Sequence, residues 1–253
     1  HKDEMNSLKV VGVCILLFLP PIYLIYKQPD MSTSIMVMLL FCVLLFVGGI
    51  GWKYIILAFS VAVPAFIIVL TLVLQPDQEI IESFQQRRIL AWLYPEEYAT
   101  TEAYQQTNSV TAIGSGMLYG KGYKTNEISS VKNGNFISEP ETDFIYAVIG
   151  EEFGFIGCVI VLLLLLFIIF RCILIAVSIR DSFSQLIVAG VAGMIAFQTF
   201  INVGVATGIM PNTGMSLPFV SYGGSSMWTN MTAIGLVLNI GMKRSKSLFE
   251  GQI

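Results

Sequence analysis

Residues 153–178 read FGFIGCVIVLLLLLFIIFRCILIAVS, and Arg171 is the one charged side chain among them. A helix needs roughly 20 mostly apolar residues to cross about 30 Å of hydrocarbon, and this stretch exceeds that. Five others, at 8–26, 31–50, 54–74, 184–209 and 224–242, are built the same way. Composition agrees: 55% of the 253 residues are hydrophobic and 12% charged, with mean hydropathy +0.74, against about 25% charged in soluble domains. The expectation is an all-α polytopic membrane helix bundle of six spans, one membrane domain over 1–253. The opening HKDEMNSLKV has no initiator methionine and no signal peptide, and reads as part of something longer.

A net charge of −3 leaves no basic footprint for nucleic acid. Cys14, Cys42, Cys158 and Cys172 all lie inside apolar runs, which argues against a disulfide framework or a zinc site. His1 is the only histidine, so carboxylates, lysine, arginine and hydroxyls remain as reactive groups. Within the spans, Pro20 and Pro21 predict a kink or break in the outer third of the first. The fourth extends upstream from Phe144, and an unbroken helix over 144–178 would be about 52 Å long. Its first turns should therefore project from the bilayer or bend near Gly150 and Gly154.

Lysine and arginine in short loops set the orientation. With the C-terminal tail inside, Lys2, Lys9, Lys53, Arg171, Arg180, Lys243, Arg244 and Lys246 are cytoplasmic and only Lys27 faces out. Eight against one places the long segment 75–143 outside, as a large extracytoplasmic loop. In it Ile80, Ile81, Phe84, Ala91 and Trp92, with the stem of Arg88, fall near one helical face, which predicts a short helix on the membrane surface.

Four strings could carry chemistry. In Lys27-Gln28-Pro29-Asp30, Asp30 stands where the second span begins. It suits a helix N-cap, worth about 1 kcal/mol, and also a general base at a membrane interface, where partial desolvation favours proton uptake by a carboxylate. The second string runs from Glu139 through Asp143 to Glu151-Glu152. Asp143 fits an acid ahead of a helix, whereas two adjacent acids between apolar runs require that at least one face protein or a water-filled cavity. The acids could also hold a hard divalent cation, although no ligand spacing demands one. The third string, AIGSGMLYGKG at 112–122, contains Ser115 and Lys121. It resembles an anion-cradling loop but has Gly122 where a nucleotide-binding loop needs Ser or Thr, and reads otherwise as a turn-rich loop. In the fourth, PNTGMSLPFVSYGGSS at 211–226, Pro, Gly and hydroxyls including Ser221, Tyr222 and Ser225 describe a re-entrant or broken connection. At membrane depth such backbone is tolerated only when buried in protein or lining a cavity.

Together these strings resemble the SEDS family of bacterial membrane proteins, which includes RodA, FtsW and SpoVE. The resemblance runs through QPDMST (28–33), RRILAWLYPEEY (87–98), YQQTNSVTAIGSGMLYGKG (104–122), TDFIYAVIGEEFGFIG (142–157) and NVGVATGIMPNTGMSLPFVSYGGSS (202–226). Departures are slight: QPDMST replaces QPDLGT, GSGMLYG replaces GSGGL, and Ser138 and Glu141 stand where proline and histidine are common, with Glu139 kept. The family has ten membrane helices, so the resemblance implies that this chain holds the last six. It implies a peptidoglycan glycosyltransferase that polymerises lipid II (the undecaprenyl-diphosphate-linked disaccharide peptide) outside the cytoplasmic membrane, with a class B penicillin-binding protein as partner and membrane lipids around it. Asp30 matches the family's essential aspartate, the base for the acceptor hydroxyl. Lys121, Arg87 and Arg88 become the cations for the departing diphosphate, and Lys27, Gln28, Ser115, Glu139, Asp143, Glu152, Ser221, Tyr222 and Ser225 are carried as substrate contacts. Rival readings are a lipid II flippase and a scaffold for the synthase partner.

Overall fold

The computed structural model describes residues 7–250 apart from 29, 76–82, 125–129, 131–133 and 135. Among the described residues the regular structure is entirely helical: α1 (Leu8–Tyr26), α2 (Met31–Val47), α3 (Trp52–Val73), α4 (Ser83–Leu93), α5 (Tyr104–Ser115), α6 (Ile145–Ser178), α7 (Ser182–Ala206) and α8 (Gly224–Glu250). Each of the six apolar stretches is a helix. Four of them, α1, α3, α6 and α7, are long and apolar enough to cross a membrane. α2 is shorter at 17 residues, and α8 is diluted by Ser225, Ser226, Thr229, Asn230 and Asn239. Pro20 and Pro21 do not break α1, which is continuous through both; with no water nearby, leaving the helix would strand more backbone groups than two missing N–H donors do.

α7 is the axis of the bundle. Gly190 and Gly193 face Leu44 and Leu40 of α2, and these small residues let two antiparallel helices approach closely. Val188, Ala192 and Ile195 of α7 close a core with Cys172 and Ala176 of α6 and Val237 of α8. At the other end Ile201 and Val205 pack with Phe144, Ala147 and Ala112. The outward faces of α1 and α3 stay apolar and exposed, as lipid-facing surface does.

α6 bends where the sequence placed a joint. Gly154 adopts φ 65° and ψ −163° inside an otherwise helical run of 34 residues. The break frees carbonyls and amides, and the glycine-rich string pairs them. Lys121 N and Gly122 N donate to the carbonyls of Glu151 (2.9 Å) and Glu152 (3.0 Å), while Phe155 N and Ile156 N donate to those of Met117 (2.8 Å) and Leu118 (3.2 Å). The fit is close: a Cβ on Gly154 would run into Gly120 N, and one on Gly116 into Gly150 O. Residues 116–122 are therefore a backbone splint for a broken helix. Gly154→Ala should cost about 1–3 kcal/mol from its backbone conformation alone, before any displacement of the splint, and should lower the unfolding temperature of the purified protein. An unchanged melting temperature would show that the joint is not held this way.

Candidate functional site

The chemistry-bearing strings gather at one end of the bundle, where α2, α6 and α8 begin and α7 ends. Asp30 is the N-cap of α2. Its Oδ1 accepts from Thr33 N at 2.9 Å and its Oδ2 from Thr33 Oγ1 at 2.6 Å. The side chain is nevertheless exposed, and a carboxylate has about four lone-pair directions, so a cap here keeps acceptor capacity. Cap and base are compatible readings of one residue. Two positions on, the buried Ser32 donates through Oγ to the carbonyl of Thr213, which fastens the start of α2 to the segment linking α7 and α8.

That segment, 207–223, is irregular, and its backbone groups are paired by neighbours. Asn202, fully buried near the end of α7, donates through Nδ2 to the carbonyls of Asp143 (2.8 Å) and Met215 (2.7 Å). Ser221 Oγ accepts from Leu217 N at 2.7 Å and donates to Thr142 O at 2.6 Å. Tyr222 N donates to Glu141 O at 2.8 Å. From the far side, Trp92 Nε1 of α4 donates to Gly208 O and Arg88 Nη1 to Asn212 O. Gln106 and Ser109 of α5 bond the carbonyls of Val205, Met210 and Ala206. The predicted surface helix thus exists over 83–93 but lays Arg88 and Trp92 on protein; Ile80 and Ile81, like Pro29 of the first string, lie outside the described residues.

Asp143 is not a helix cap, because α6 is capped by Phe144 without a side-chain bond. Its carboxylate instead faces Gly214, whose Cβ would come within 3.4 Å of Oδ2, and interacts with Arg88. Burial pushes the Asp143 carboxyl above its usual range; the positive Arg88 opposes this and the negative Glu139 adds to it. Burial pulls the Arg88 guanidinium down, against the pull of Asp143. The guanidinium also stands 4.6 Å from the Phe84 ring centroid.

The acid pair divides. Glu151 Oε1 accepts from Lys121 Nζ at 2.8 Å, with Glu151 3% and Lys121 20% exposed, so the lysine expected to meet an anion already holds a buried carboxylate. Glu152 lines a cavity of about 550 Å³ together with Ser221 and Tyr222. Arg87 is ion-paired through Nε to Glu102 at 2.6 Å on the surface. Lys27 is exposed with its ammonium 5.2 Å from the Tyr23 ring, and Gln28 is exposed beside it. Ser115 bonds back to Ala112 O, Ser225 lends its carbonyl to Thr229, and Glu139, at φ 53°, lends its carbonyl to Thr142. Among the described residues no three His, Cys, Asp or Glu side chains stand together as a metal-ligand set. Sequence reading passed over Ser32, Asn202 and Thr213 as anchoring residues. A lone Asn inside an apolar span was the available signal for Asn202.

The family model for FtsW, RodA and SpoVE, described as "Cell cycle protein", matches residues 1–246. "Peptidoglycan glycosyltransferase MrdB" of Escherichia coli (strain K12) is 37% identical over 238 residues, covering 94% of this chain and 62% of that protein. Among solved structures, one described as "Structural coordination of polymerization and crosslinking by a peptidoglycan synthase complex" aligns with TM-score 0.73 at 27% identity, over 94% of this chain and 63% of that one. The rod shape determining protein RodA of Thermus thermophilus aligns with TM-score 0.60 at 27% identity, over 96% and 61%. The chain therefore spans somewhat over three-fifths of the length of these relatives.

Asp143 also gives this end of the bundle a pH signature. A carboxyl raised above its ordinary 3.8 holds its proton in the folded state to higher pH than in the unfolded chain. Between those two values the folded state carries the extra proton, so stability falls as pH rises through the window. Thermal unfolding of wild type and Asp143→Asn should show the wild type losing stability relative to the variant as pH climbs from about 4 through that window; a difference independent of pH would contradict it.

Proposed function

This chain belongs to the FtsW, RodA and SpoVE family of cell cycle proteins, and from that premise we propose that it is the catalytic part of a peptidoglycan glycosyltransferase, polymerising lipid II into β-1,4 glycan at the outer face of the cytoplasmic membrane. The observation that carries the reading is Asp30, an exposed carboxylate held at the first turn of α2 by Thr33, on a helix tied through Ser32 to the irregular segment between α7 and α8. A base must be fixed in direction yet reachable by the proton it takes. The Thr33 bonds supply the first requirement and exposure the second.

In this scheme the 4-hydroxyl of the acceptor sugar attacks the anomeric carbon of the donor MurNAc. Asp30 takes the hydroxyl proton, the bond to the diphosphate oxygen breaks, and undecaprenyl diphosphate leaves from the opposite face, inverting the centre to β. Negative charge growing on the leaving group calls for a cation already in place. Arg88, poised between Asp143 and Asn212, and Lys27, three residues before Asp30, suit that work. Lys121 and Arg87 reach a diphosphate only by exchanging Glu151 and Glu102. Segment 75–143 is then extracytoplasmic, and a class B penicillin-binding protein cross-links the emerging strands. Relatives named peptidoglycan glycosyltransferase MrdB and probable peptidoglycan glycosyltransferase FtsW support this reading.

The test is polymerisation of purified lipid II by the full-length protein with its penicillin-binding partner. Asp30→Asn should reduce glycan synthesis by about 10²-fold or more while the melting temperature changes little, since an asparagine oxygen still caps the helix. Undiminished synthesis would remove Asp30 as the base. Lipid II translocation lost with polymerisation intact would instead identify a flippase, and growth supported by both Asp30→Asn and Lys121→Ala would identify a scaffold.

A further inference from the structure

We propose that the recess between the start of α6 and the start of α8 binds a primary alkylammonium group, with Glu152 as its counter-ion. Glu152 is 7% exposed and lines this cavity of about 550 Å³. Its backbone carbonyl is taken by Gly122 N, but among the described residues no donor and no cation meets its carboxylate, whereas the neighbouring Glu151 has Lys121. An acid this deeply placed on a membrane helix needs a partner, and the space it faces is where one would come from.

The walls say what kind. Glu141 is a second acid on the lining, and among the described residues no lysine, arginine or histidine contributes to it, so an anion would meet two carboxylates and no cationic side chain. A hard divalent ion wants about six or more oxygen ligands, and no metal-ligand group forms among the described residues. Ile149 and Met227 give an apolar flank suited to a methylene stem. Tyr123 and Tyr222 stand on the lining with exposed rings, and aromatic faces attract ammonium groups. The Tyr123 ring already has the Lys124 ammonium 5.4 Å from its centroid. Carboxylate, aromatic faces and an aliphatic wall together describe a site for R–NH₃⁺.

On the polymerase reading the amine belongs to the peptide carried by the substrate, and an aminophospholipid headgroup offers the same chemistry. The experiment uses the whole protein in phosphatidylglycerol nanodiscs, titrated with Nα-acetyl-lysine methylamide and with its Nε-acetylated form, binding being read by saturation-transfer NMR. The free amine should bind saturably, with Nε-acetylation or Glu152→Gln each weakening it by roughly tenfold to a hundredfold, the scale of a charge-assisted hydrogen bond. Tyr222→Ser, at a side chain 77% exposed and so tolerant of change, should weaken it by a smaller factor. Adding phosphatidylethanolamine to the discs should compete with the probe if the lipid is the occupant and leave binding unchanged if the peptide amine is. Equal binding of the two probes, or full affinity in a folded Glu152→Gln, overturns the proposal; should that variant not fold, the probe pair on wild type still decides. Binding is read without turnover, so this site and the polymerase reading can fail separately.

Discussion

The side-chain amide of Asn202 donates to two backbone carbonyls, one just before α6 and one in the segment between α7 and α8. Everything at this end of the bundle depends on that pair of bonds. Irregular backbone has no helical ladder to pair its N–H and C=O groups, and within a bilayer no water does so. Asn202 meets the need from the centre, while Ser32, Ser221, Gln106, Ser109, Trp92 and Arg88 meet it from the periphery. Because each of these bonds reaches across to a different element, the groups that pair the backbone also set where Asp30, Asp143 and Arg88 stand relative to one another.

A second region solves the same problem with glycine. The bend of α6 at Gly154 frees amides and carbonyls, and residues 117–122 pair them. Glycine at 120 and 154 serves both positive φ and close backbone approach. With the ladder repaired, Glu151 and Glu152 project from a rigid support. One is neutralised by Lys121 and the other opens on a cavity, so two adjacent residues of identical chemistry have different surroundings.

The helices were legible because the bilayer imposes a length and an apolarity that few other segments satisfy. The cap at Asp30 was legible as well, since Asp30 and Thr33 sit at the spacing a cap uses. What the sequence hid was pairing at long range. Arg88 and Asp143 meet because α4 docks on the turn after α7, and nothing local in either string announces it. The glycines of 114–122 looked like an anion cradle because glycine permits close approach by any group, and here the approaching group is the protein's own helix. α5 was not anticipated, its polar composition giving little periodic signal beside the spans. Pro20 and Pro21 do not break α1, unlike prolines in water-soluble helices, where a broken turn can be hydrated.

The partner of Asp143 lies 59 residues downstream of it, which gives the clasp a history. At synthesis rates of about 5–20 residues per second, the ribosome needs roughly 3–12 s after making Asp143 before Asn202 exists, and longer before Met215 does. Until then the Asp143 carbonyl has no Asn202 amide to pair with. Closure of the clasp is therefore a late and long-range event in the making of this end of the bundle, completed only once α7 and the segment after it are in place.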